Sequence, residues 1–160
     1  MIRVQREDFD IGRELKALTA GRTDIGGLAS FTGLVRDFVD TGTGKTKAGI
    51  RAMTLEHYPG MTEKMLTEIE AEANRRWPLQ ASLVIHRFGP LMPGDNIVLV
   101  ACAAAHREDA LQACSFLIDW LKTKAPFWKC EETEDGPRWV AAKASDDSLA
   151  ARWDEPGAGK

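Results

Sequence analysis

Five cationic side chains, Arg36, His106, Arg107, Lys122 and Lys129, stand at the ends of expected elements rather than inside apolar runs. From such positions they can reach a common anionic ligand without entering a core. His106 and Arg107 open a long amphipathic segment, and the start of a helix offers unpaired N–H groups and a positive dipole end that suit a phosphate. Lys122 and Lys129 bracket the stretch Ala125-Pro126-Phe127-Trp128, one in the last turn of that helix and one on the strand beyond it. Crowded, desolvated lysines become more readily neutral, which makes them nucleophiles or proton acceptors near pH 7.

Each of these features also has a structural reading, and spacing alone favours it. His106 can cap the helix, Arg107 can pair with a surface acid, and Lys122 can complement the helix C-terminus. Cys130 beside Lys129 suggests a sulfur relay, but neighbours on a strand point to opposite faces, and an inert cysteine is the commoner outcome. Cys102 and Cys114 fall on apolar faces and read as core. Phe127, Trp128 and Trp139 read as cross-strand packing on a hairpin. His57, His86 and Arg87 lie near strand ends, with no partner identifiable from sequence.

The elements that position these residues follow from periodicity. Ile11 to Thr19 reads as a helix capped by Asp10, Ile25 to Val35 as a glycine-interrupted strand, and Ala52 to His57 as another strand. After Tyr58-Pro59-Gly60, the apolar stripe Met61, Met65, Ile69, Ala73 and Trp77 marks a helix ended by Pro78. Ala81 to Phe88 and Asn96 to Ala104 flank a Pro93-Gly94-Asp95 turn and read as a strand pair. The second long helix spans about His106 to Lys124, with Ala110, Leu111, Cys114, Leu117, Ile118 and Leu121 on its apolar face. Phe127 to Thr133 and Arg138 to Lys143 read as a terminal hairpin. Residues 40–49 are polar and glycine-rich, as expected of a mobile loop, and residues 154–160 read as a frayed tail. Two helices separated by antiparallel pairs indicate an α+β fold within one domain, residues 1–153.

The composition is that of a soluble globular chain: 160 residues, 44% apolar, 28% charged and a formal net charge of -3. It gives no general attraction to nucleic acid or to an anionic membrane. No signal peptide and no run of roughly 20 apolar residues is visible, so a cytoplasmic location is expected. Three widely spaced cysteines suggest neither a zinc site nor a disulfide framework, and neither a metal nor a cofactor is expected. There is no P-loop and no nucleophile-elbow motif.

Six strings taken in order resemble the large subunit of molybdopterin synthase over nearly the whole chain. They are Phe31-Thr32-Gly33-Leu34-Val35-Arg36, Leu55-Glu56-His57-Tyr58-Pro59-Gly60-Met61, Ile85-His86-Arg87-Phe88-Gly89, Pro93-Gly94-Asp95, Ala105-His106-Arg107 and Leu121 to Lys129. The resemblance implies an α/β-hammerhead-type fold and a central homodimer with a small ubiquitin-like sulfur-carrier subunit at each end, making a heterotetramer. The carrier's C-terminal Gly-Gly, as a thiocarboxylate, would supply sulfur in two transfers that convert cyclic pyranopterin monophosphate to molybdopterin.

By motif, Lys122 and Lys129 correspond to the catalytic lysines, and Arg36, His106 and Arg107 to residues holding the pterin and its phosphate. Leu34, Val35, Cys130 and Glu131, together with the two lysines, complete the expected substrate-contacting set. Leu34 stands where the family often carries lysine, and Cys130 where a basic residue is common. Two rival readings have no turnover: a dimeric pterin- or nucleotide-phosphate-binding module that uses the same cations, and a protein that only docks the carrier and needs no pterin site.

Overall fold

The computed structural model describes residues 1–40, 46–134, 136–140 and 144–154, without the side chains of 38–40, 46–48 and 144–146. Two four-stranded sheets organise it. The first contains β1 (Ile2–Gln5), β6 (Leu79–Arg87), β8 (Asn96–Ala104) and β2 (Gly27–Leu34), in the order β1-β6-β8-β2. β1 runs parallel to β6, and the other two pairings are antiparallel. The second sheet is antiparallel throughout, in the order β10-β9-β5-β7, from β10 (Gly136–Val140), β9 (Phe127–Thr133), β5 (Ile50–His57) and β7 (Gly89–Leu91). A small hairpin joins β3 (Phe38–Asp40) to β4 (Thr46–Ala48). The architecture is α+β, as expected.

Alternation along β6 and β8 explains how the first sheet is covered on both faces. Val84, Val100 and Cys102 point into a core shared with α2 (Met61–Arg76), α3 (Arg107–Lys124) and Trp153, just beyond α4 (Ala144–Ala151). Leu83, Ile85, Leu99 and Ala101 point the other way, onto Phe9 and the apolar side of α1 (Ile11–Thr19). A strand buried on both faces has no polar positions to alternate, which is why Ile97 to Ala104 is almost continuously apolar. Cys102 and Cys114 lie in this core, and burial pushes the Cys114 thiol up to about 11.

Asp10 caps α1 by accepting from the Arg13 N–H at 2.9 Å, as its sequence position indicates. The apolar stripe of α2 needs correction. Met61 is 52% exposed, while the buried face is Thr62, Leu66, Ile69 and Ala73. A strict four-residue repeat drifts around a helix of 3.6 residues per turn, so alternating steps of four and three hold the core face better. In α3 the buried set adds Ala113, Phe116 and Asp119, because three partners surround the helix, while Leu111 is turned outward at 61% exposure. Gly60, with φ of 81°, makes the left-handed turn into α2, which favours glycine.

Four differences concern strands and termini. β1 and α4 were not expected, and β7 was not separated from the β6–β8 connection. Part of the expected 40–49 loop is strand: Asp40 ends β3 and Thr46–Ala48 form β4, paired with it, while 41–45 lie outside the described residues. Of the expected tail, residues 155–160 lie outside the described residues, as does the 141–143 end of the expected last strand. Trp139 stands opposite Cys130 and Trp128 opposite Glu56, and both rings are at least half exposed.

Candidate active site

β8 and α3 set the geography of the cations. β8 ends at Ala104, the chain turns through His106, and α3 returns along the sheet, with Cys114 Sγ lying 4.0 Å from the Val100 carbonyl oxygen. Lys122 therefore comes back toward the end of the sheet where β8 begins. β2 runs antiparallel to β8, with Gly27 opposite Ala104 and Leu34 opposite Asn96, so Arg36 reaches that same end. There the Val35 N–H donates to the Asp95 carbonyl at 3.0 Å. Lys129 follows after a turn, as the third residue of β9. Arg36, Lys122 and Lys129 thus share one pole of the chain.

His106 and Arg107 are at the other pole. Arg107 and Lys122 are fifteen residues apart on one helix, a rise of about 22 Å, too far for one chain to close both groups around a small molecule. The expectation that all five cations meet on one ligand is corrected for a single chain. His106 occupies the N-cap position with no side-chain capping bond, and both it and Arg107 are exposed. β2 begins tightly against this pole: a side chain at Gly26 would come within 2.2 Å of the Ala105 carbonyl oxygen.

Helix geometry separates the two lysines at the end of α3. Residues two apart project about 200° from each other. Lys124 lies over the Trp120 ring, 3.2 Å from its centroid, whereas Lys122 projects elsewhere and is exposed.

The alternation of β9 sorts its side chains. Phe127, Lys129 and Glu131 share the face that also carries Leu55 and Met53 of β5, while Trp128 and Cys130 share the opposite face. Cys130 therefore points away from Lys129, as strand geometry requires. Glu131 is the buried centre of the inner face, 4% exposed. Lys129 Nζ lies 3.0 Å from its Oε1, and Arg138 Nη2 donates to its Oε2 at 2.9 Å. Burial works against ionising Glu131, but the bonds from Lys129 and then Arg138 outweigh it and hold the carboxyl below its ordinary value. The arrangement gives Lys129 a fixed, desolvated counter-ion.

Among the other expected contacts, Leu34 is 53% exposed at the end of β2, while Val35 is 3% exposed in a small core with Met53, Leu55 and Leu91. Val35 thus presents no side chain to a ligand and serves to anchor the segment leading to Arg36. Arg138 was missed. Its signal lay in the hairpin register, since pairing of Gly136 with Thr133 places 138 opposite 131. Arg87 is structural: it donates to the carbonyls of Arg6 at 3.1 Å and Asn96 at 2.9 Å. Among the described residues no three His, Cys, Asp or Glu side chains gather as a metal site.

The chain is similar to known proteins along nearly its whole length. A family model described as MoaE protein matches residues 4–124. The molybdopterin synthase catalytic subunit of Pseudomonas aeruginosa is 54% identical over 154 residues, covering 96% of this chain and 99% of that protein. Among solved structures, the molybdopterin biosynthesis MoaE protein from Burkholderia ambifaria superposes with a TM-score of 0.80 at 51% identity, covering 98% of this chain and 99% of that one. Molybdopterin synthase from Staphylococcus aureus gives 0.74 at 31% identity, over 87% of this chain and 96% of that one. The chain belongs to the MoaE family, that of the molybdopterin synthase catalytic subunits.

Proposed function

We propose that this chain moves sulfur from the thiocarboxylated C-terminal glycine of a small ubiquitin-like carrier onto cyclic pyranopterin monophosphate, twice, to give molybdopterin. The single observation that carries this reading is the cationic pole in which Lys129 is locked to a buried Glu131 beside the end of α3. A relative named as a catalytic subunit is one component of a larger assembly, which fits a separate carrier.

The chemistry follows from what each group can hold. In each transfer the thiocarboxylate sulfur bonds to a carbon of the pterin side chain as that carbon's bond to oxygen breaks, the oxygen leaving with the opened phosphate ring in one transfer and as water in the other, and water then cleaves the acyl C–S bond. The sulfur stays on the substrate and the carrier leaves as a carboxylate. Lys122, exposed on α3, is placed to bind the acyl oxygen or to move protons. Lys129, fixed by Glu131, stabilises negative charge as the cyclic phosphate opens. Arg36 binds the same anion.

The phosphate contacts assigned to His106 and Arg107 come from a second copy. β2 is an edge strand with Leu28, Phe31 and Leu34 each at least 39% exposed. One of its ends lies by Arg107 and the other leads to Arg36. Two copies related by a two-fold axis across this edge would set His106 and Arg107 of each beside the lysine pole of the other. No helix among the described residues is long and apolar enough to cross a membrane, and a cytoplasmic setting suits a phosphorylated substrate and a protein carrier.

Reconstitution tests the reading: purified chain, thiocarboxylated carrier and cyclic pyranopterin monophosphate should yield molybdopterin. Carrier binding with no product from the folded wild type would favour the docking reading. Binding of the pterin phosphate that survives without any turnover would favour the binding module.

A further inference from the structure

The path from Lys122 to Lys129 passes through Ala125 and Pro126, which link α3 to β9. One main-chain bond closes the turn, the Phe127 N–H donating to the Ala125 carbonyl at 2.9 Å; proline has no N–H of its own, so further anchorage comes from outside contacts. Two remote segments supply them, on consecutive residues. Thr62, fully buried in the first turn of α2, accepts the Tyr58 N–H at 3.1 Å, and its hydroxyl lies 3.4 Å from the Pro126 carbonyl oxygen. Acceptance from Tyr58 leaves the hydroxyl proton free for that carbonyl.

The next residue, Phe127, is held by a ring stack. His86, from β6 of the other sheet, lies nearly parallel to it, with centroids 3.7 Å apart and planes 14° apart. The His86 ring is itself oriented by a 2.9 Å contact from Nδ1 to the Arg87 carbonyl oxygen. His57 stands opposite Phe127 in the β5–β9 register and packs on Phe88 at 4.3 Å. Since Phe127 and Lys129 project from the same face of β9, fixing the Phe127 ring fixes the strand surface that carries the lysine.

We propose that Thr62 and His86 are positioning residues for the lysine pair: bracing Pro126 and Phe127 from behind, they set Lys129 relative to Lys122 during sulfur transfer. The inference rests on the proposed reaction and goes beyond it by assigning work to two residues outside the cationic set. Their loss disturbs alignment of groups that act in the transition state, so turnover falls while substrate affinity is nearly kept.

The test compares Thr62→Val and His86→Leu with the conservative changes Thr62→Ser and His86→Phe, which keep the hydroxyl and the flat ring. All four are checked for folding by thermal melting. Expected is a fall in kcat of about ten- to a hundredfold for Thr62→Val and His86→Leu, with KM for the pterin within about twofold of wild type, and recovery of most of kcat in Thr62→Ser and His86→Phe. Wild-type kcat in the disruptive variants overturns the proposal, as does a loss confined to KM or a failure of the conservative pair to recover.

A second readout needs no turnover: the acylation rate of Lys129 by a small amine-reactive reagent, relative to the exposed Lys16, followed by mass spectrometry. The brace predicts a several-fold change in that ratio in His86→Leu but not in His86→Phe, and an unchanged ratio overturns it. An inactive wild type with this shift intact would count against the reaction alone. If one disruptive variant fails to fold, the other pair decides.

Discussion

Glu131 is the residue on which the lysine pole depends. Its two oxygens are divided between Lys129 and Arg138, and it is itself almost wholly buried. Glu131→Gln keeps the shape but removes the charge both cations answer to. It should cost about 2 kcal/mol of stability at neutral pH and lower turnover more than it raises KM, as measured by denaturant unfolding and steady-state kinetics. His86 makes a separate prediction in pH. Its packing against Phe127 withdraws the ring from water, and with His57 nearby its pKa falls from 6.5 to about 4. Between those values the unfolded chain binds the proton and the folded chain does not, so stability is complete above about pH 6.5 and declines as pH drops toward 4. His86→Phe should flatten that decline in unfolding measured across pH 4–7, and an equally steep decline in the variant would assign it to other groups.

At the scale of elements, the legible parts were those with strong local patterns. α1, with its Asp10 cap, and β8, with its unbroken apolar run, occupy the residues expected of them. β1 escaped notice because four residues carrying only Ile2 and Val4 give too short an alternation, and its order comes from parallel pairing with β6. α4 escaped because Ala144 to Ala151 has almost no apolar face of its own. It is fixed from outside, by Trp153 packed against Trp77 and Phe116 and donating its indole N–H to Asp119 at 2.7 Å. Arg152 adds charged bonds to the same carboxylate. Trp153→Ala should therefore destabilise the fold by about 3–5 kcal/mol, and hydrogen exchange should show α4 released first. Unchanged protection of α4 would contradict the clamp.

For the whole molecule, the types of the site residues were readable but their grouping was not. Arg36, His106, Arg107 and Lys122 sit at or near element ends, as their sequence positions indicate, and Lys129 lies two residues into β9. Grouping them required knowing that α3 returns along β8, and that its length then carries His106 and Arg107 far from Lys122. The two-copy arrangement makes a direct prediction. Arg107→Ala and Lys122→Ala should each be inactive alone, yet random mixing of their subunits should restore about a quarter of wild-type activity, because half the dimers then hold one intact site of two. Mixtures with no activity, despite subunit exchange shown by mass spectrometry, would place all five cations in separate roles within one chain.

The most direct test of the central claim is molybdopterin formation in the reconstituted mixture by wild type, Lys122→Ala and Lys124→Ala. Lys124 is the control because it lies on Trp120, on another side of the same helix turn. Expected is product from wild type and from Lys124→Ala, and none from folded, carrier-binding Lys122→Ala. Equal activity in all three would contradict that claim.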